Sequence, residues 1–165
     1  RQALPRELPD KDAVYNVSRV GLLPAAMNPV VLAQAAQQGK SGVAAAPAQD
    51  ADTCACSGGT RESAFADELA AAQAQSNALL FTATQDKLHQ PYRGALMPPS
   101  TELIALFRSK GYAAAVSGAG PCVLVLHYGN AREAIDQIAS EQLASGHWRV
   151  LHLPINTAGV EIERR

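Results

Sequence analysis

The sequence has little of what marks several large classes of protein. Charged residues make up 18% of its 165 positions and nearly cancel, 14 Lys and Arg against 15 Asp and Glu. No basic block stands out, so a phosphate-neutralising nucleic-acid surface is not expected. No apolar run approaches the roughly 20 residues that a membrane-spanning helix needs, and no signal peptide is recognisable. The three cysteines cannot all pair with one another. Cys54 and Cys56 stand one residue apart in a Gly/Ser-rich stretch with no further ligands nearby, which argues against a metal site and for reduced thiols in the cytoplasm. Cys122, within an apolar run, reads as a small apolar residue of a buried strand. The chain opens on Arg1 rather than methionine, and is expected to be a fragment or a processed product.

What is present suffices for one domain. An apolar content of 47% over 165 residues can build a real core, whereas a second full domain is not expected. Asp10 or Asp12 is placed to cap a first helix, with Val14, Val17, Gly21, Leu22 and Ala25 at helical spacing as its buried face. Asp12, Asn16 and Arg19 form its polar, solvated or domain-facing stripe. Pro24 predicts a kink or an early end between Val20 and Pro24. From Gln34 to Ser76 the composition turns to Gly, Ala, Ser and Pro. That stretch reads as a partly mobile insertion, with a short helix in its second half at Glu62 to Gln75. A helix is expected over Asn77 to Leu88, and another from Thr101 to Ser109, capped by Ser100 and stopped by Gly111. Asn130 is placed to cap a helix with an apolar stripe of Ala134, Ile135, Ile138, Ala139 and Leu143, ended by Gly146. Trp148 to Pro154 and Val160 to Glu163 read as a hairpin around Asn156 to Gly159, with Trp148 as a core anchor. The sum is an α+β two-layer sandwich with helices on one face of an antiparallel sheet.

Two segments carry chemistry. In Tyr112 to Leu126, two apolar runs of strand composition flank Ser117-Gly118-Ala119-Gly120-Pro121. The glycines permit backbone angles and close approaches closed to other residues, and such a turn can aim amide N–H groups at an anion. A plain connection between core strands is the alternative. In Asp86-Lys87-Leu88-His89-Gln90-Pro91-Tyr92-Arg93, Pro91 disfavours helix at Gln90, so Arg93 is expected on an irregular segment. There a guanidinium can grip a carboxylate with two prongs; a surface ion pair is the alternative.

These segments, with Arg1-Gln2-Ala3-Leu4-Pro5 and Asp12-Ala13-Val14-Tyr15-Asn16-Val17-Ser18-Arg19 before them, give the chain a family resemblance. It resembles the C-terminal part of homoserine kinases, of the GHMP small-molecule kinase superfamily. Ser117 to Pro121 looks like the superfamily's third, glycine-rich motif; the other three segments are more particular to the homoserine branch. Apart from the 34–76 stretch, the resemblance covers nearly all of residues 1–165. It implies a ferredoxin-like C-terminal domain and transfer of the ATP γ-phosphoryl group to L-homoserine, giving O-phospho-L-homoserine for threonine biosynthesis. Arg1 and Arg93 match positions that hold the substrate carboxylate, and His89 would orient Arg93 or line the pocket. Ser117, Gly118, Ala119 and Gly120 would shape the site beside the phosphates. No residue of this chain is assigned an acid, base or metal-binding role. ATP and Mg2+ would be held mainly by an N-terminal domain, because nothing in 1–165 matches the family's Gly-Leu-Gly-Ser-Ser-Ala-like loop. The chain alone is then expected to be inactive, and the resemblance also allows a homodimer. Two other readings stand beside it: a ferredoxin-like domain that binds an amino acid without catalysis, and a GHMP kinase acting on mevalonate or a sugar.

Overall fold

A computed structural model of the chain describes residues 3–30, 33–34, 61–153 and 162. The chain falls into two compact units, Arg1–Gly129 and Asn130–Arg165. The expected candidate Arg1 and most of the 34–76 stretch before residue 61 lie outside the described residues.

In the first unit, α1 (Asp10–Val20) is followed by a single-turn α2 (Leu23–Ala26). Pro24 falls in the first turn of α2, where a missing N–H costs no helix bond, so the helix ends near Val20 as its position predicts. The expected buried face of α1 is not buried: Val14 and Val17 are 67% and 73% exposed. Its polar residues are the ones engaged instead. The Tyr15 hydroxyl donates to Gln85, and Asn16 bonds to Asp86 and Lys87. Three specific polar bonds fix the rotation of this short helix against the pull of its valines. Asp10 and Asp12 are not its cap; Pro9 is the N-cap residue, with no side-chain bond.

The long helix α3 (Arg61–Ala83) replaces the two helices expected on either side of Ser76. Its sequence is dominated by Ala, Leu, Glu and Gln, all strong helix formers, so nothing in it interrupts propagation. Ala72, Ser76, Leu80 and Ala83 are all buried and form one stripe at helical spacing. Small residues at 72 and 76 let the helix lie close to its neighbours. Asn77 fastens it: the side-chain amide donates to Tyr128 O at 3.1 Å, and its oxygen accepts Tyr128 N at 2.8 Å. The helix stops at Ala83, five residues before the expected Leu88.

After α4 (Gln90–Arg93) and a 3-10 turn, Gly94–Leu96, comes α5 (Pro98–Ser109). Leu103, Ile104 and Phe107 of α5 are buried, and Gly111 at φ 85° stands just past its end as predicted. Ser100 does not cap this helix. It is buried, and its hydroxyl donates to Pro121 O at 2.6 Å. Strands β1 (Ala113–Val116) and β2 (Val123–Leu126) pair antiparallel, from Ala113 opposite Leu126 to Val116 opposite Val123. Ala26, Leu80 and Ala113 form a core cluster that Leu23, Leu79, Phe81, Leu126 and Tyr128 pack against. The two strands are not both buried, however: Leu124 is 44% exposed. Cys122 precedes β2 and is exposed, not a core residue of it.

The second unit holds α6 (Arg132–Ile138) and α7 (Ser140–Ala144) where one helix capped by Asn130 is expected; Ala131 is the N-cap residue. Gly146 at φ 74° follows α7. Trp148 to Leu153 form no strand, and Trp148 is half-buried; the rest of the expected hairpin, apart from Ile162, lies outside the described residues. His152 Nε2 meets the Asp136 carboxylate at 3.0 Å. The architecture of helices with an antiparallel strand pair is α+β. Among the described residues, no helix is long and apolar enough to cross a membrane.

Candidate functional site

A cleft of about 580 Å³ in the first unit gathers three of the residues singled out in the sequence: His89, Arg93 and Gly118. Asn16, Val17 and Val20 of α1 line it as well, with Asp86, Gln90, Met97 and Val116. Of the polar stripe expected on α1, Asn16 thus lines the cleft. Ser117, Ala119 and Gly120 complete the glycine turn of which Gly118 faces the cleft.

Arg93 reaches the cleft from a helical turn, not from an irregular segment. Pro91 stands in the first turn of α4, so it begins a helix there instead of ending one. One turn of helix is not stable alone, and this one is held by Asp86. The Asp86 carboxylate accepts the N–H groups of Leu88 (2.8 Å), His89 (2.9 Å) and Gln90 (2.6 Å), together with the Asn16 amide at 2.6 Å. Asn16 also accepts the Lys87 N–H at 2.9 Å. Burial alone would raise the Asp86 carboxyl, but these four donors outweigh it and hold the group below its ordinary value. Arg93 is a half-buried residue, and its guanidinium has no hydrogen-bond or ion-pair partner among the described residues. The His89 side chain is 59% exposed, and its Nδ1 lies 3.9 Å from Asp86 Oδ1.

The glycine turn is tied on both sides, once to this segment and once to α5. Gln90 Oε1 accepts Val116 N at 3.2 Å on the side where β1 enters the turn; Ser100 holds Pro121 O on the other. Inside the turn, Ser117 N donates to Cys122 O at 2.8 Å and Gly120 N to Ser117 O at 3.1 Å. The N–H groups of Gly118 and Ala119 are left without partners among the described residues. Gly118 (φ 59°) and Gly120 (φ 82°) both adopt left-handed backbone, and a Cβ on Gly120 would lie 2.5 Å from Met97 Sδ. Among the described residues, the site thus offers a guanidinium and two amides without partners in a small cleft, an arrangement suited to a small anion. It offers little to a cation. Asp86, the one carboxylate lining the cleft, is fully engaged, and no group of three or more His, Cys, Asp or Glu that could hold a metal occurs among the described residues.

Asp86 and its bonds escaped the sequence reading. An aspartate whose side chain can bond backbone two residues on is a local turn signal; its partner Asn16, 70 residues away, leaves none.

Residues 63–144 match the family GHMP kinases C terminal. That match begins inside the stretch expected to be an insertion, within the continuous α3. The homoserine kinase of Clavibacter michiganensis subsp. michiganensis is 43% identical over 97 residues, 58% of this chain and 30% of that protein. The homoserine kinase of Leifsonia xyli subsp. xyli is 44% identical over 98 residues, again 58% and 30%. That of Corynebacterium urealyticum is 29% identical over 142 residues, 86% of this chain and 31% of that protein. The chain therefore spans about 30% of the length of these curated relatives. Residues 63–144, which hold the strand pair and the glycine turn, are thus a GHMP kinase C-terminal domain.

Proposed function

We propose that this chain is the C-terminal, substrate-gripping part of an ATP-dependent homoserine kinase. The observation that carries the reading is the Arg93 guanidinium, without a partner among the described residues, in a cleft whose one carboxylate is already satisfied. A half-buried cation with no counter-charge calls for an anionic ligand. The carboxylate of an amino-acid substrate is an anion of the right kind, and the relatives' names point to L-homoserine. Arg1, outside the described residues, would supply a second guanidinium. His89 would line the pocket, and Ser117, Gly118, Ala119 and Gly120 would form the wall beside the transferred phosphoryl group.

The reaction would pass the γ-phosphoryl group of ATP to the substrate hydroxyl, giving O-phospho-L-homoserine for threonine biosynthesis in the cytoplasm. Such transfer depends on positioning and charge neutralisation more than on covalent help from the protein. This chain's share is to fix the amino-acid end of the substrate. With Asp86 engaged, no carboxylate that lines the cleft among the described residues is free for Mg2+. The ion and the main ATP contacts would therefore belong to an N-terminal domain, and the chain alone would not turn over. A homodimer is part of the same proposal.

The test is Arg93→Ala in the full-length protein. Loss of a charge-assisted contact to the substrate should raise KM for homoserine by about 10-fold or more, with KM for ATP near normal. A raised KM for ATP with unchanged homoserine dependence would overturn the role given to Arg93.

A further inference from the structure

We infer that Asp86 is a positioning residue for substrate binding, fixing the turn Gln90–Arg93 so that the Arg93 guanidinium stands in the cleft. The inference rests on the reading of Arg93 as the partner of the substrate carboxylate. Its own ground is the set of bonds around Asp86. The first N–H groups of a helix have no partner within it, and a single turn has few other bonds to hold it. Here Asp86 Oδ2 takes the N–H groups of His89 and Gln90, and Oδ1 takes that of Leu88. Asn16 of α1 grips the same loop twice, donating to Asp86 Oδ1 and accepting from Lys87 N. The far end of the chain of bonds is Gln90, whose side chain holds Val116 N two residues before Gly118. Asp86, the helical turn, Gln90 and Val116 thus fix where Arg93 stands relative to the glycine turn.

The same geometry separates positioning from chemistry. A general base needs a free lone pair aimed at its proton and a pKa near the working pH. Both Asp86 oxygens each accept two donors, and those donors favour the charged form. A metal ligand would need the same lone pairs. Nor is Asp86 part of the apolar core built on Ala26, Leu80 and Ala113. Its removal should loosen the turn and leave the fold in place.

A double-mutant cycle in the full-length protein tests this, with Asp86→Ala, Arg93→Ala and the pair. Asp86→Ala should raise KM for homoserine by about 10-fold while KM for ATP moves less than about 2-fold. In the Arg93→Ala background the same change should add less than about 2-fold, because the residue it positions is gone. Asn16→Ala, which removes one donor and one acceptor from the loop, should shift KM for homoserine in the same direction by about 3-fold. It serves as the test if Asp86→Ala does not fold. Multiplying effects in the double variant would overturn the inference, as would a fall in kcat at unchanged KM for homoserine. If Arg93→Ala itself leaves KM for homoserine unchanged, the carboxylate reading fails first and this inference with it. If Arg93→Ala raises it and Asp86→Ala does not, only the inference fails.

Discussion

Single residues of the site differ in why they are needed, and the two glycines make the difference measurable. Both adopt left-handed backbone, which costs other residues about 1–2 kcal/mol. Only Gly120 is also crowded, since a methyl group there meets Met97 Sδ at 2.5 Å and Val116 Cγ1 at 3.3 Å, whereas nothing lies within 4 Å of one on Gly118. Gly120→Ala should therefore destabilise the protein by about 2–4 kcal/mol and Gly118→Ala by about 1–2 kcal/mol, read from denaturant midpoints. Equal costs would show that Met97 yields freely. The need for glycine at both positions was legible in the sequence, because a glycine turn between strand-like runs has a local signal. The neighbour that makes Gly120 exacting was not. Met97 lies 23 positions earlier, and no local pattern announces a contact made by tertiary packing.

Among elements, Arg108 joins three. From α5 its guanidinium donates to Phe81 O at 2.6 Å at the end of α3, to Thr84 Oγ1 at 3.1 Å, and to Ala114 O of β1 at 3.0 Å. It also lies over the Phe81 ring, 4.2 Å from the centroid. The last carbonyls of α3 have no partner within the helix, and a cation there suits the negative end of its dipole. Arg108→Met keeps most of the volume and removes all three bonds, so stability should fall by about 2–4 kcal/mol in urea unfolding. Arg108→Lys should recover only part, because an ammonium cannot span three acceptors as a planar fork does. A loss under about 0.5 kcal/mol would mean that water replaces the arginine adequately. Element types were largely legible, since apolar spacing marks α3 and α5 and residue type marks both strands. Boundaries failed where tertiary bonds decided them. Pro91 begins a turn because Asp86 supplies acceptors for it, and α1 leaves its valines exposed because Tyr15 and Asn16 have partners beyond Ala83.

At the scale of the whole molecule, titration should set the limits of stability. The lowered Asp86 carboxyl favours the charged form in the folded state, so its stabilisation is present above the ordinary carboxyl value of 3.8 and is lost as pH falls through the lowered one. Burial raises the Tyr128 phenol, so its share is present below the ordinary value of 10.0 and is lost as pH rises through the raised one. The Tm difference between the native protein and Asp86→Asn should therefore hold steady near neutral pH and close below about pH 4. A difference that stays constant down to pH 2 would show that Asp86 is not charge-stabilised. The two strands bear on association as well. Ala114 O and Val116 N point away from β2, and both are already taken, by Arg108 and by Gln90. A strand from another copy that tried to add beside β1 would have to displace both side chains, one of them the residue that opens the turn Gln90–Arg93. The free edge of a sheet is where proteins most readily stick to one another. Here the bonds that hold the site together also close that edge to aggregation.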